Sequence, residues 1–135
     1  MSKMLSNPAM VIWLTMISIP FIWSIGSKYE GDLFPVVSKA EIVDQETDEY
    51  GVYINVRFRK ERQCEFIGIS WYDKFNIRYG VEFEPDSNLS PISRPIGDQV
   101  SGPWLLKGMQ SLEGGRAIVS HHCHPLWITN TVFYP

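Results

Sequence analysis

Residues 52–59 read VYINVRFR, with Val52, Ile54, Val56 and Phe58 alternating with Tyr53, Asn55, Arg57 and Arg59. Successive side chains of a strand point to opposite faces, so this period of two predicts a strand with one face on a core and one in water. The pattern recurs downstream, where Ile77, Tyr79, Val81 and Phe83 alternate with Arg78, Gly80, Glu82 and Glu84. Between the two lies CEFIGISWY, residues 64–72, rich in β-formers and almost uncharged, as a central strand buried on both faces would be. Asp73-Lys74-Phe75-Asn76 supplies a four-residue turn, which predicts an antiparallel hairpin of residues 66–72 with residues 77–83.

Further from this centre the signals weaken but keep the same character. Residues 36–43 form a strand candidate ended by the acidic run 44–49. Residues 85–103 carry Pro85, Pro91, Pro95 and Pro103 and read as an ordered surface excursion, neither helix nor central strand. Strand-like segments follow at 104–112, 116–122 and 126–134, and the turn Glu113-Gly114-Gly115 predicts a second hairpin. About seven strands without an amphipathic helix define an all-β domain, a sandwich or small barrel. An immunoglobulin-like antiparallel β-sandwich is the first architecture to test, because two cysteines with a tryptophan on an interior strand are its hallmark. Trp71 follows Cys64 by only seven residues, and His121 stands where a corner tyrosine is expected, so the topology stays open.

The N-terminal block differs in kind. Residues 9–25, AMVIWLTMISIPFIWSI, hold no charge over 17 positions, close to the roughly 20 residues that span a bilayer core as a helix. As an uncleaved anchor, the block places Trp13 and Trp23 near the interfaces, with Lys3 holding the N-terminus in the cytoplasm. As a signal peptide it has MSKMLSNP as its leading region, Pro20 as helix breaker and Ser24-Ile25-Gly26 as a small-x-small cleavage site. A buried core helix is the third reading, opposed by Pro20 and by the lack of a polar face. The chain therefore divides into residues 1–27 as anchor or signal peptide, 28–35 as spacer and 36–135 as an extracytoplasmic β-domain. Cys64 and Cys123, an even pair in a chain entering an oxidising compartment, are expected to form a disulfide, with two reduced, buried thiols as the alternative.

Charge and motifs limit the function. With 12 basic and 15 acidic residues interspersed, the net charge of -3 supplies no field for nucleic acid. The basic cluster RFRKER, residues 57–62, reads as the solvated end of a strand. No serine lies in a nucleophile elbow, and Glu82 and Glu84 follow a solvated face, so no enzyme is expected. Gly97 and Gly102 have no helix after them and make no phosphate cradle, and no cofactor is implied.

His121, His122 and His124 flank Cys123, and imidazole with thiolate suits zinc or copper. On a strand, however, His122 and His124 point one way and His121 the other, so the favoured reading is a bridged cysteine beside partly exposed histidines, with metal binding or pH sensing as alternatives. Trp71 and Trp127 read as core, and Trp104 as an exposed anchor. A binding loop for a protein or glycan partner is sought at residues 87–104, with Asp98, Gln99 and Trp104 as candidate contacts. The other expected partner is the membrane, through the N-terminal block. The strings CEFIGISWYD, SGPWLL and HHCHPLWITNTVFYP resemble small phage-encoded or bacterial exported and membrane-anchored proteins. That resemblance implies an envelope location and no particular activity.

Overall fold

The computed structural model describes residues 7–83 and 94–135, a single helix followed by eight strands in two antiparallel sheets. Helix α1 spans Pro8–Leu33. It begins at Asn7, whose side-chain oxygen accepts from the Ala9 N–H at 3.1 Å, with Pro8 in the first turn where no N–H is needed. Pro20, expected to break the helix, lies inside it. Proline removes one backbone bond, a local cost that a helix of 26 residues carries without ending.

The apolar part of α1 touches nothing in the domain. Trp13, Met16, Ile17 and Phe21 are each more than 60% exposed, and the helix is long and apolar enough to cross a membrane. Residues 28–33, expected to be part of a spacer, are instead the last turns of α1. Gly31 is the one buried residue of the helix, and a Cβ there would overlap the Asn130 carbonyl, so glycine is what permits helix and strand to approach this closely.

The strands are β1 Glu41–Thr47, β2 Gly51–Lys60, β3 Glu65–Tyr72, β4 Arg78–Tyr79, β5 Val81–Phe83, β6 Gly97–Lys107, β7 Arg116–His122 and β8 Thr129–Tyr134. One sheet has the order β1-β2-β6-β5 and the other β4-β3-β7-β8. The period of two in residues 52–58 holds: Val52, Ile54, Val56 and Phe58 are buried, and they share one core with Trp104 and Leu106 of the same sheet and with Trp71, Ala117, Val119 and Phe133 of the other. Phe133 sits at the centre, edge-on to Phe58 at 5.3 Å and stacked with Trp104 at 5.9 Å.

Several expectations are corrected. The first strand starts at Glu41, later than expected, and is not ended at Val43 by the acidic run: it continues through Asp44 and Glu46 to Thr47, because β1 is an exposed edge where charge is tolerated and discourages further pairing. Strand β3 is central in its sheet but buries only Trp71 fully, with Ile67 half exposed. Residues 77–83 are not one strand. The chain crosses between sheets at Gly80, so that Arg78 and Tyr79 pair with β3 while residues 81–83 pair with β6. The segments around Gly114-Gly115 form no hairpin, since β6 and β7 belong to different sheets. Pro103 does lie in a central strand, at a bulge where the register steps from Ile54 opposite Trp104 to Val56 opposite Ser101; there its missing N–H interrupts no regular ladder.

Candidate functional site

Two buried polar clusters lie at one end of the β-domain, where β2 and β7 finish and β3 and β8 begin. The first surrounds Glu30, in the last turns of α1. Its carboxylate accepts from Trp127 Nε1 at 2.6 Å, His124 Nε2 at 2.8 Å and Thr129 Oγ1 at 3.1 Å on one oxygen, and from Arg62 at 3.0 Å on the other. His124 Nδ1 accepts from the Leu126 N–H at 3.3 Å, which assigns the ring proton of the neutral tautomer to Nε2, facing Glu30. Arg62 also donates to the Phe34 carbonyl at 3.0 Å, and Ser27 donates to the Ile128 carbonyl while accepting from Asn130 at 3.1 Å. The end of α1 is thus fixed to β8 and to the β2–β3 and β7–β8 connections. Four donors around one carboxylate satisfy an ion that would be costly to bury alone.

The second cluster is a narrow pocket of about 50 Å³, and its lining includes the aromatic rings of Phe58, Phe66, Phe83, Trp104 and Phe133. These rings meet edge to face, Phe66 on Phe83 at 6.1 Å and Phe83 on Trp104 at 5.2 Å. Three basic side chains enter this apolar wall. Lys60 is 2% exposed and donates to the Arg94 carbonyl at 2.7 Å. The Arg94 guanidinium, over the Phe58 ring, donates to Ser101 Oγ at 2.7 Å and to Gln99 Oε1 at 3.4 Å. His121 is 3% exposed, and its Nδ1 has no hydrogen-bond partner among the described residues.

No carboxylate among the described residues pairs with Lys60 or Arg94 within 4 Å. Burial, and then the neighbouring Arg94 charge, lower the Lys60 pKa. Burial lowers that of Arg94, and burial with the Lys60 charge brings His121 down to about 4.

The strand period explains both buried bases. Continuing the inward set 52, 54, 56, 58 by one step reaches Lys60, and the inward set Ala117, Val119 of β7 continues to His121. RFRKER is therefore a solvated strand end only at Arg57, Arg59 and Glu61; Lys60 is buried, and Arg62 is half-covered against Glu30.

The residues singled out from sequence scatter accordingly. Cys64 and Cys123 form a disulfide, with Cα atoms 4.6 Å apart, joining the start of β3 to the end of β7. The histidines do not gather: His121 lines the pocket, His122 faces solvent 3.9 Å from Glu65, and His124 holds Glu30. Among the described residues no three His, Cys, Asp or Glu side chains converge as a metal site would require.

Trp104 is 7% exposed and part of the core, not a surface anchor. Of the proposed binding loop, Asp98 is exposed beside Arg59 at 3.5 Å and Gln99 is buried, while residues 87–93 lie outside the described residues, as does Glu84. Trp71 is core, but Trp127 packs on α1, its ring against Gly26. Glu30 and Lys60 went unnoticed because each was read as part of a polar stretch. Comparison with known protein families, curated proteins and solved structures finds no match for this chain.

Proposed function

We propose that the chain is a single-pass membrane protein whose β-domain, an immunoglobulin-like sandwich, stands outside the cytoplasm as a binding or structural module of the cell envelope. One observation carries this reading: the apolar part of α1 is bare of domain contacts while its last turns are locked into the domain through Gly31 and Glu30. A helix exposed over 9–25 needs a covering, and lipid is the solvent that matches it. The disulfide supports an oxidising compartment.

The strand order supports the fold assignment. Reading the strands as A, B, C, C′, D, E, F and G gives A-B-E-D on one sheet and C′-C-F-G on the other, the order of immunoglobulin domains with one added strand. The disulfide joins C to F within a sheet and not B to F across the core, which departs from the antibody pattern.

Because Trp127 meets α1 at Gly26 and Asn130 meets it at Gly31, β8 climbs away from the apolar segment in the direction of the helix. The β2–β3 and β7–β8 connections then face the bilayer, with Leu126 and Ile128, both more than 40% exposed, at the interface beside Trp127. The uncleaved anchor fits this arrangement, since Ser24-Ile25-Gly26 lies within continuous helix.

Fractionation of cells expressing the full chain tests the reading. It should pellet with membranes, resist alkaline extraction, and block maleimide at both cysteines until reduced. Recovery in the soluble cytoplasmic fraction with two reactive thiols would overturn it.

A further inference from the structure

We infer that the pocket between the sheets is a binding site for a small amphipathic carboxylate, an aliphatic or aromatic body carrying one negative charge. This rests on reading the domain as a binding module, but not on which way it faces the membrane. Lys60 and Arg94 sit within the same apolar wall, with neutral oxygens as their only partners among the described residues: the Arg94 carbonyl, Ser101 Oγ and Gln99 Oε1. Holding two cations there with no anion among the described residues is costly, and a core needing only to be stable would be expected to place aliphatic side chains at these inward positions. His121 adds a third basic group, 3% exposed with an unpartnered Nδ1, on the opposite sheet.

The chemistry of the lining selects the ligand. Phe58, Phe66, Phe83, Trp104 and Phe133 offer ring faces and edges to an apolar body and almost nothing to a polar one. A carboxylate brings one charge and two oxygens, which the Lys60 ammonium and the Arg94 guanidinium can divide, and a neutral imidazole can supply a further N–H. A neutral ligand of the same shape would gain the apolar contacts and leave both cations as they are. A larger polyanion would have to shed its water in a wall too apolar to replace it.

Calorimetric titration of the full chain in zwitterionic lipid nanodiscs, with empty discs subtracted, tests the assignment. The probes are 4-phenylbutyrate and 4-phenylbutan-1-ol, which share a body and differ in charge. The acid should bind saturably and at least about tenfold more tightly than the alcohol, the margin a single well-placed ion contact confers. Lys60→Met should remove that preference while leaving alcohol binding in place. Arg94→Gln, examined alongside, should weaken the acid selectively, and it carries the test if the lysine variant does not fold. Equal affinity for acid and alcohol, acid binding unchanged in the folded variants, or no saturable acid binding up to about 10 mM would overturn the proposal. Each of these outcomes leaves the membrane fractionation result standing.

Discussion

The two buried polar clusters at the α1 end of the domain are built on opposite terms. Around Glu30 a single acid is met by four donors from Arg62, His124, Trp127 and Thr129. Around Lys60 the bases outnumber the acids, with Arg94 and His121 in the same wall and no carboxylate against them among the described residues. A balanced cluster answers the needs of folding, since every partner it requires is already in the chain. An unbalanced one asks for something from outside. Lys60 and His121 lie at the ends of β2 and β7, and Arg62 and His124 follow in the connections after them, so the two clusters are close neighbours in the chain with opposite charge balance.

The disulfide adjoins both clusters in sequence, Cys64 just after Lys60 and Arg62, Cys123 between His121 and His124. Opening it should break both at once. Cys64→Ser with Cys123→Ser is expected to lower stability by about 4 kcal/mol, the loop entropy of a link across 59 residues, measured by denaturant unfolding with and without reductant. Next in size is the balanced cluster alone. Glu30→Ala leaves Arg62, Trp127 and Thr129 without their shared acceptor and should cost about 3 kcal/mol, with new protease sensitivity between α1 and β1.

The unbalanced cluster should respond to acid. His121 has its pKa lowered to about 4 from an ordinary 6.5, so the unfolded chain takes up the proton first. Its contribution is complete above pH 6.5 and is lost as the pH falls toward 4, amounting to about 2 kcal/mol by pH 5. His121→Phe should flatten that part of the profile. The smallest effect separates the two clusters most sharply. Lys60→Met should change stability by less than about 1 kcal/mol, or raise it, because it removes a buried cation that no acid among the described residues offsets. A loss comparable to that of Glu30→Ala would mean that Lys60 is a structural group and that the clusters are alike.

Much of the scaffold was readable in the sequence because it follows from local periodicity. Residues 52–58 alternate strictly and are a strand; residues 9–25 are uncharged and are helix. What failed was the identity of neighbours. Gly80 looked like one more outward position in a strand, yet it marks the crossing from one sheet to the other, and the glycines at 114 and 115 looked like a hairpin turn where the chain also changes sheets. Crossovers depend on which sheet offers an open edge, a long-range property that no window of residues contains.

The site was half visible. His121 stood out as part of a cluster, but for metal chemistry, whereas its place in the fold follows from parity with Ala117 and Val119. Lys60 was assigned to water on the strength of its charge, against the same parity rule that had identified its strand. Where charge and period disagree, the disagreement itself is a pointer to function. Glu30 had no local signal at all, because its partners lie 32 to 99 residues away.

In the membrane arrangement proposed above, Gly31 sets how far from the bilayer the domain stands. A flexible tether of eight residues would let the domain wander by about 15 Å and tumble freely. With no side chain at position 31, helix and strand abut backbone to backbone, and no slack remains between the apolar helix and the β-domain. Any tilt of α1 is then passed to the sheets as a rotation of the whole domain, with no hinge between the two to absorb it.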